Sequence, residues 1–359
     1  MGYEVDFIQV GQESKGGDAI ALRWGDLRSN DKRNSDQFVV VIDGGYESSG
    51  EDPVRNSGKD LAELIKKYYY TNTIDLVVST HPDADHIGGL SHILDEFAVK
   101  KLWIHKPWEH NNDIAKDDYE AAWDLCKQAR TENIDIEEPF FDKISPVQCS
   151  HSDGVLRVVG PSKEYYKSLL PDFGKTLGTA KSEESILGMA QGLAQEVIAR
   201  AKDSWDIDSI DDEGETSARN NSSTILEFMY QGRKILFTAD AGIPAFHDAF
   251  DNVKNIEREL CMIQIPHHGS RRNVGPSALN NMVGPIIGKN ASGNITAIAS
   301  CAKENPDRKH PSQRVLNAFI RRGCKCYIVS GGLRHFYKAP DRQGYSKAEA
   351  CEFDSDVEE

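Results

Sequence analysis

The sequence predicts an α/β fold, in which short buried strands alternate with amphipathic helices. Short runs of apolar and β-branched residues recur along the chain and end in glycine or polar turns, which is typical of buried strands. Segments between them carry apolar residues at spacings of three and four, which is typical of helices packed on a sheet. Strands interleaved with helices in this way indicate an α/β protein.

The predicted elements follow one another in a regular order. In the first half we expect strands at 38–42, 76–78 and 102–104, and helices at 61–68, 90–97 and 119–132. In the second half we expect strands at 155–159, 224–229, 234–238, 261–265, 295–299 and 324–329. Periodicity alone does not show how these strands are arranged into sheets.

Composition excludes several classes of protein. The 359 residues are 39% hydrophobic and 28% charged, which describes a globular chain that can bury a core. No segment approaches the roughly 20 apolar residues that span a bilayer, so we expect no contact with a membrane. The net charge of −15 argues against a broad nucleic-acid-binding surface, because Lys and Arg make most phosphate contacts.

The start of the chain and its cysteines favour a cytoplasmic location. Residues 1–6 lack the basic start and apolar core of a signal peptide. The seven cysteines are scattered and odd in number, which fits a reducing compartment.

The most informative motif is Thr80-His81-Pro82-Asp83-Ala84-Asp85-His86-Ile87-Gly88-Gly89, directly after a predicted strand. It places two histidines and two carboxylates within six residues. Imidazole nitrogens and carboxylate oxygens are the ligands of catalytic divalent metals. A loop at the end of a strand is where a rigid scaffold presents such groups, so the motif predicts a metal site.

This motif resembles the H-x-H-x-D-H signature of the metallo-β-lactamase superfamily, with Asp83 in place of the second histidine. Its H-x-D-x-D-H-x-G-G form is similar to the hydrolase domain of the DNA-uptake protein ComEC and its stand-alone relatives. Further segments resemble that family in the same order: Val10-Gly11-Gln12 with Gly17-Asp18, Val41 to Gly45, Asn220 to Ser223, Phe237 to Asp240, Pro266 to Ser270, and His310 to Ser312. The resemblance spans about residues 5–329 and implies an αββα sandwich, two mixed sheets flanked by helices.

The resemblance also implies a site for two divalent ions. His81 and Asp83 would face the first metal, Asp85 and His86 would face the second, and Asp240 would bridge both. One histidine of the pair His267 and His268 would complete the second site. We favour His268 as that ligand and place His267 near the leaving group or a phosphate oxygen, although the reverse assignment stays open.

Other residues are expected to assist. Asp43 and Ser270 would support the metal loops by hydrogen bonding. His310 precedes a predicted helix, with Pro311 in its first turn, where it would either contact substrate or anchor the loop.

The first metal lacks the further histidine that many superfamily members supply. His105, His110 and His151 stand between the first and fourth motifs, and His151 is the best placed in order. ComEC-like relatives generally lack this ligand, so its assignment stays open. Together with Asp83, an oxygen-rich first site extends the expected metal from zinc to zinc or manganese.

Residues 162–219 interrupt the α/β pattern. Residues 185–203 have helical spacing of apolar positions, and an acidic run from Asp206 to Glu215 follows, which we interpret as a solvated loop. We therefore expect a hydrolase domain at 1–340, an insertion at 162–219 that is a lid, a packed decoration or a dimer contact, and an acidic tail at 341–359.

The leading functional hypothesis is a dinuclear metal-dependent hydrolase that uses a metal-bridging hydroxide on a phosphodiester, such as a nucleic acid or nucleotide. One alternative is a small-molecule esterase resembling choline-phosphate esterases, in which Trp103, Trp108 or Trp205 would hold a quaternary ammonium group. Another is a non-catalytic sensor module. A homodimer or a protein encoded by a genomic neighbour is the expected protein partner.

Overall fold

The structure, a computed structural model, describes eleven stretches of the chain. They are residues 1–11, 16–27, 36–47, 57–148, 152–174, 200–252, 259–289, 291, 293–301, 310–329 and 331–358. Two candidates from the sequence, His151 and most of the predicted helix at 185–203, lie outside these residues.

The first of two large sheets has seven strands and is mixed. In chain order its strands are β1 (Gly2–Ile8), β2 (Ala19–Gly25), β3 (Gln37–Gly44), β5 (Leu76–Val78), β7 (Lys101–Trp103), β8 (Asp135–Glu137) and β17 (Gly332–Tyr337). The spatial order is β17-β1-β2-β3-β5-β7-β8, antiparallel as far as β3 and parallel from β3 to β8.

The second sheet has the same size and the same mixture of strand directions. Its strands are β9 (Val147–Gln148), β10 (Val155–Gly160), β12 (Ile225–Tyr230), β13 (Arg233–Phe237), β14 (Leu260–Gln264), β15 (Thr296–Ala299) and β16 (Lys325–Ile328). They lie in the order β16-β15-β14-β13-β12-β10-β9, parallel from β13 to β16 and antiparallel beyond.

Two short ladders complete the strands. One pairs β4 (Thr73–Ile74) with β6 (Ala98–Val99), and the other pairs β11 (Arg200–Lys202) with β18 (Asp356–Glu358). The helical interpretation of residues 185–203 is therefore wrong at 200–202, where a strand pairs with the end of the chain. That pairing joins residues more than 150 positions apart, so local periodicity could not reveal it.

The helices lie outside the two sheets. They are α1 (Ser57–Tyr69), α2 (Ala84–Ile87), α3 (Leu90–Glu96), α4 (Glu120–Thr131), α5 (Lys163–Leu169), α6 (Ala218–Asn221), α7 (Ile243–Asn252), α8 (Pro276–Met282) and α9 (Gln313–Arg321). Short 3₁₀ turns occur at Pro107–Glu109, Lys116–Tyr119, Leu170–Asp172 and Pro266–Gly269. None of the helices in the described stretches is both long and apolar enough to cross a bilayer.

Successive side chains of a strand point to opposite faces of its sheet, and the buried apolar side chains form three layers. In β3, Val39 and Val41 face the helices α1 and α3, whereas Val40 and Ile42 face the second sheet. The central layer joins side chains of both sheets, and a third layer lies between the second sheet and α7 to α9. The predicted αββα sandwich is confirmed.

The segment predicted as an acidic tail contacts the body of the fold. Arg342 donates hydrogen bonds from both terminal nitrogens to Asp6, at 2.7 and 2.9 Å, and lies beside the buried Glu4. With the pairing of β18, these contacts hold residues 342–358 at two points.

Candidate metal centre

Three strands deliver the predicted ligands to one edge of the sandwich. The loop after β5 carries His81 and leads into α2, which holds Asp85 and His86. Asp240 follows β13, and His267 and His268 follow β14. The resulting metal cluster consists of His81, Asp83, Asp85, His86, Asp240, His267 and His268.

Asp240 is the centre of this cluster because its two oxygens face different histidines. Its Oδ1 lies 3.3 Å from Nε2 of His86 and 3.6 Å from Nε2 of His268. Its Oδ2 lies 3.4 Å from Nε2 of His267 and 3.7 Å from Nε2 of His81. The carboxylate therefore stands between two halves of the cluster.

The half around Oδ1 forms a compact group of possible ligands. Oδ2 of Asp85 lies 3.8 Å from Nε2 of His86 and 3.6 Å from Nε2 of His268. Asp85, His86, Asp240 and His268 all place a ligand atom within 4.8 Å of one another. Such separations fit atoms bound about 2.1 Å from one ion.

The half around Oδ2 is more open. Nε2 of His81 lies 3.9 Å from Oδ2 of Asp83 and borders the same oxygen of Asp240 as His267 does. His81 is buried, whereas Asp83 and His267 are partly exposed. A substrate would therefore reach the cluster through this half.

Four histidines present one nitrogen to the cluster because the other is held by an acceptor. Nδ1 of His86 donates to Asp43 at 2.8 Å, and Nδ1 of His268 donates to the backbone oxygen of Ser300 at 2.6 Å. Nδ1 of His267 donates to Oδ1 of Asn273 at 2.8 Å. The hydroxyl of Thr80 donates to Asp43 and so accepts from Nδ1 of His81 at 3.0 Å.

These bonds leave the Nε2 lone pairs directed at a carboxylate. Nε2 of His81, His86 and His268 and Oδ1 of Asp240 are buried without a hydrogen-bond partner. Buried acceptors that face one another are unfavourable unless a cation or a proton lies between them. The donor set therefore fits divalent cations, with the outer hydrogen bonds fixing each imidazole as metal-binding proteins do.

The electrostatics agree with this arrangement. Burial opposes the charged form of His268, yet Asp240 and Asp85 raise its pKa to about 9, and Asp240, Asp85 and Asp43 raise the pKa of His86 well above its ordinary value. Burial likewise opposes charge on Asp85, but His86 and His268 lower its pKa to about 2. The carboxylates thus attract positive charge, which protons or metal ions can supply.

Asp43 is bonded to Thr80 and to His86. Its Oδ1 accepts from the backbone nitrogen of Thr80 at 2.8 Å, and its Oδ2 accepts from the Thr80 hydroxyl at 2.6 Å as well as from His86. Ser270 lies behind the histidine pair, where its backbone nitrogen donates to the oxygen of His267 at 2.8 Å. Asp43 thus holds His86 and the loop of His81, and Ser270 holds the backbone of His267.

Four of the nine described residues other than glycine that have a positive φ lie at the cluster. Asp43, Ala239, His267 and His268 all have φ between 43° and 56°, a left-handed conformation that is costly for residues other than glycine. Each of them lies in or directly beside a loop that carries a cluster residue. Strain at such positions is common where a functional geometry is held by the surrounding fold.

Sequence reasoning missed two residues that hold the cluster. Asn273 is fully buried and connects His267 with the backbone oxygen of Asp240, to which its Nδ2 donates at 2.8 Å. Asp18, noted only as part of a family-like segment, accepts from Nε2 of Gln264 at 2.6 Å and lies 3.6 Å from Nδ1 of His86. The Gly17-Asp18 pair was the available signal for Asp18, whereas nothing local identifies Asn273.

His310 reaches the open side of the cluster. Its ring centroid lies 5.9 Å from that of His267. The expectation for Pro311 is wrong, because α9 begins at Gln313 after the cap residue Ser312, so the proline precedes the helix. Pro311 instead packs on Gly269, where an added Cβ would lie 2.5 Å from the proline Cβ.

The alternative histidine ligands in the described part of the chain lie elsewhere. His105 is buried against Tyr166 and Thr224, at 3.1 Å from the Thr224 hydroxyl, and burial lowers its pKa to about 3. His110 bonds Glu138 at 2.9 Å. Both histidines pack against aromatic side chains away from the metal cluster. Neither of them therefore completes the half around Oδ2 of Asp240.

The fold is an αββα sandwich, and the cluster at its edge is a candidate centre for divalent metal ions. Residues 33–162, which include the first metal-binding motif, match the model of the metallo-beta-lactamase superfamily. The matched residues make up just over a third of the chain. No curated protein matches it.

Three solved structures with similar folds have low sequence identity. YhfI from Bacillus subtilis, a metallo-beta-lactamase fold protein, is 8% identical, with a TM-score of 0.44 over 94% of this chain and 100% of that one. A diphosphatase from the PhnP family is 10% identical, with a TM-score of 0.39 over 94% and 98%. Unliganded yeast PDE1 is 11% identical, with a TM-score of 0.42 over 92% and 98%.

Proposed function

We propose that the chain is a dinuclear metal-dependent phosphodiesterase. The observation that carries the proposal is the position of Asp240, whose two oxygens face two separate groups of imidazole nitrogens. One carboxylate shared by two groups of ligands is suited to two cations about 3.5–4 Å apart, an arrangement used for displacement at phosphorus.

The donor set supports zinc or manganese. We assign Asp85, His86, Asp240 and His268 to the second ion, and His81, Asp83 and Asp240 to the first. We add His267 to the first ion, because its Nε2 faces the same oxygen of Asp240 as His81 does. Imidazole suits zinc, and carboxylates with water suit manganese.

When bound, the two ions would supply Lewis acidity and activate water near neutral pH. The chain's own residues hold and orient that centre. His310, beside His267 on the open side, is then the imidazole placed to meet the leaving group or a phosphoryl oxygen. Within the superfamily, the motif containing Asp83 and the segment Pro266 to Ser270 support the ComEC-like assignment.

The three tryptophans that would support a choline-phosphate esterase lie away from the metal cluster. Trp103 is buried in the central layer, Trp108 packs edge-on against Trp123, and Nε1 of Trp205 donates to the backbone oxygen of Ile287 at 2.8 Å. None of these three tryptophans contacts the metal cluster. The net charge of −15 favours a small phosphodiester over a long nucleic acid as substrate.

The test combines metal analysis with an assay. The protein is purified without added metal, its metal content is measured by mass spectrometry, and it is assayed with zinc or manganese on bis-p-nitrophenyl phosphate and single-stranded DNA. We expect about two ions per chain and metal-dependent cleavage. Asp85→Ala should reduce cleavage by about 1,000-fold, since a metal contributes several kcal/mol to the transition state.

The control is Asp206→Ala, which removes an exposed aspartate from the same chain. It should retain wild-type metal content and cleavage. A protein that binds no metal would refute the dinuclear centre, and bound metal without cleavage of either substrate would refute the phosphodiesterase assignment.

A further inference from the structure

Arg219 lies beside the open half of the metal cluster. It is the second residue of α6, and the next residue, Asn220, places its Nδ2 3.4 Å from Nδ1 of His267. A terminal nitrogen of Arg219 lies 3.7 Å from Oδ1 of Asp83. The helix α6 therefore carries a positive charge to the face through which a substrate would enter.

The guanidinium of Arg219 is held in place by two further contacts. Its Nε donates to the backbone oxygen of Phe173 at 3.2 Å, and its Cζ lies 5.0 Å from the centre of the Tyr119 ring. The side chain of Tyr119 also hydrogen-bonds that of Arg219. An arginine fixed in advance loses less conformational freedom when it binds an anion.

Exposure identifies which side of the cluster is accessible. Around Oδ2 of Asp240 the side chains of Asp83 and His267 are 30% and 24% exposed, and the neighbouring Arg219 is 35% exposed. Around Oδ1 only Asp85 is comparably exposed, at 24%, since His86 and His268 are 0% and 6% exposed. An ester that reaches the half around Oδ2 of Asp240 would pass between the side chains of Asp83, His267 and Arg219.

We propose that Arg219 binds a phosphoryl oxygen of the substrate and so selects anionic phosphate esters; this inference rests on the proposed function. Guanidinium groups bind phosphate through charged, directional hydrogen bonds. Asp83 has one oxygen towards His81 and the other towards Arg219, so it can serve the cluster while Arg219 faces the entrance. A competing explanation is that Arg219 only orients Asp83.

The experiment compares Arg219→Ala and Arg219→Lys with the wild type after metal loading. Three quantities are measured: metal content, the KM and kcat for bis-p-nitrophenyl phosphate, and the Kd for inorganic phosphate by calorimetry. We expect Arg219→Ala to raise both KM and the phosphate Kd by about 10- to 100-fold, the loss typical of a charged hydrogen bond. Metal content should not change, and Arg219→Lys should give intermediate values.

The matched control is Arg130→Ala, which removes an exposed arginine that also lies over an aromatic ring, that of Trp123. It should leave KM and the phosphate Kd unchanged. Loss of a metal ion in Arg219→Ala would show that the residue positions Asp83, and an unchanged phosphate Kd would exclude an anion site; either result overturns the proposal. If the wild type binds phosphate but cleaves no phosphodiester, the proposed function fails while the phosphate Kd of Arg219→Ala still tests the anion site.

Discussion

At the scale of single residues, the direction of each imidazole decides what the cluster can bind. The backbone oxygen of Ser300 and the carboxylate of Asp43 each accept from an Nδ1, which leaves Nε2 as the free nitrogen. In His267, Oδ1 of Asn273 accepts from Nδ1 and likewise leaves Nε2 free. A histidine-rich motif predicts metal binding, but only these acceptors determine which nitrogen faces the metal.

Asn273→Ala tests the role of such an acceptor. Without Oδ1 of Asn273, the ring of His267 loses the bond that fixes its tautomer and orientation. We expect a 10- to 100-fold loss in metal affinity or turnover, as is typical when an outer partner of a ligand is removed. The measurement is metal titration of the chelator-treated protein together with kcat.

Asn72→Ala, a substitution of an exposed asparagine, is the control and should match the wild type. Wild-type metal affinity and turnover in Asn273→Ala would show that His267 needs no such partner and would weaken its assignment to the first ion.

At the scale of elements, arginines at the end of α9 bind part of the insertion at 162–219. Arg322, just after the helix, donates to both carboxylate oxygens of Asp208 at 3.0 and 2.7 Å, and Arg321 pairs with the buried Asp203. Asp212 caps α8 by accepting from the backbone nitrogen of Ser277 at 3.0 Å. The interpretation of the acidic run as a solvated loop is therefore wrong at Asp208, which is largely buried against Arg322, whereas Asp212 is exposed.

Arg322→Met should destabilise the fold without direct effect on the chemistry. Arg322 is buried, so its loss leaves the Asp208 carboxylate without its main partner. We expect the free energy of unfolding to fall by about 3 kcal/mol, as for a broken buried pair. Urea denaturation measures it, and Lys325→Met, which changes an exposed cation on β16, is the control. Equal stability of the two variants would contradict the anchoring role.

Several elements were predictable because their signals are local. The apolar spacing at 61–68, 90–97 and 119–132 corresponds to α1, α3 and α4, and the run at 295–299 corresponds to β15. The ladder of β11 with β18 was not predictable, since neither strand has an apolar alternation of its own and each exists by pairing with the other.

At the scale of the whole molecule, buried histidines make stability depend on pH. Burial first, and then the nearby His110, lower the pKa of His105 to about 3; burial and Arg233 lower that of His335 to about 4. Below about pH 6.5 these two histidines bind protons in the unfolded chain but stay neutral in the folded one. The contribution of His105 and His335 to stability is therefore full above that pH and decreases as the pH falls towards 4.

His105→Gln should reduce this acid sensitivity. A single such histidine contributes about 1.5 kcal/mol to the loss of unfolding free energy between pH 6.5 and pH 5.0. We expect the difference between the two pH values, measured by urea denaturation with chelator present, to shrink by about this amount in the variant. His92→Gln, at a partly exposed position, should show the wild-type difference. An unchanged difference in His105→Gln would mean that His105 is protonated in the fold or is not buried.

The sequence by itself determined the α/β fold class and grouped four of the candidate ligands in one motif. The periodicity of strands and helices is local, and the motif from His81 to His86 lies within one loop and one short helix. Both signals can therefore be recognised in the sequence without a structure. Asp240, His267 and His268 were predicted by resemblance, and their assignment to particular ions stays a proposal.

Only the tertiary structure decided how these pieces meet. Asp240 lies more than 150 residues after the first motif, and its two oxygens acquire different neighbours because β5 and β13, in opposite sheets, end at the same edge of the sandwich. Asp18 and Arg219 gain their roles in the same way, as does the bond from Asn273 to the backbone oxygen of Asp240. Their neighbours are distant in sequence, and hydrogen bonds over such separations depend on packing that no local pattern encodes.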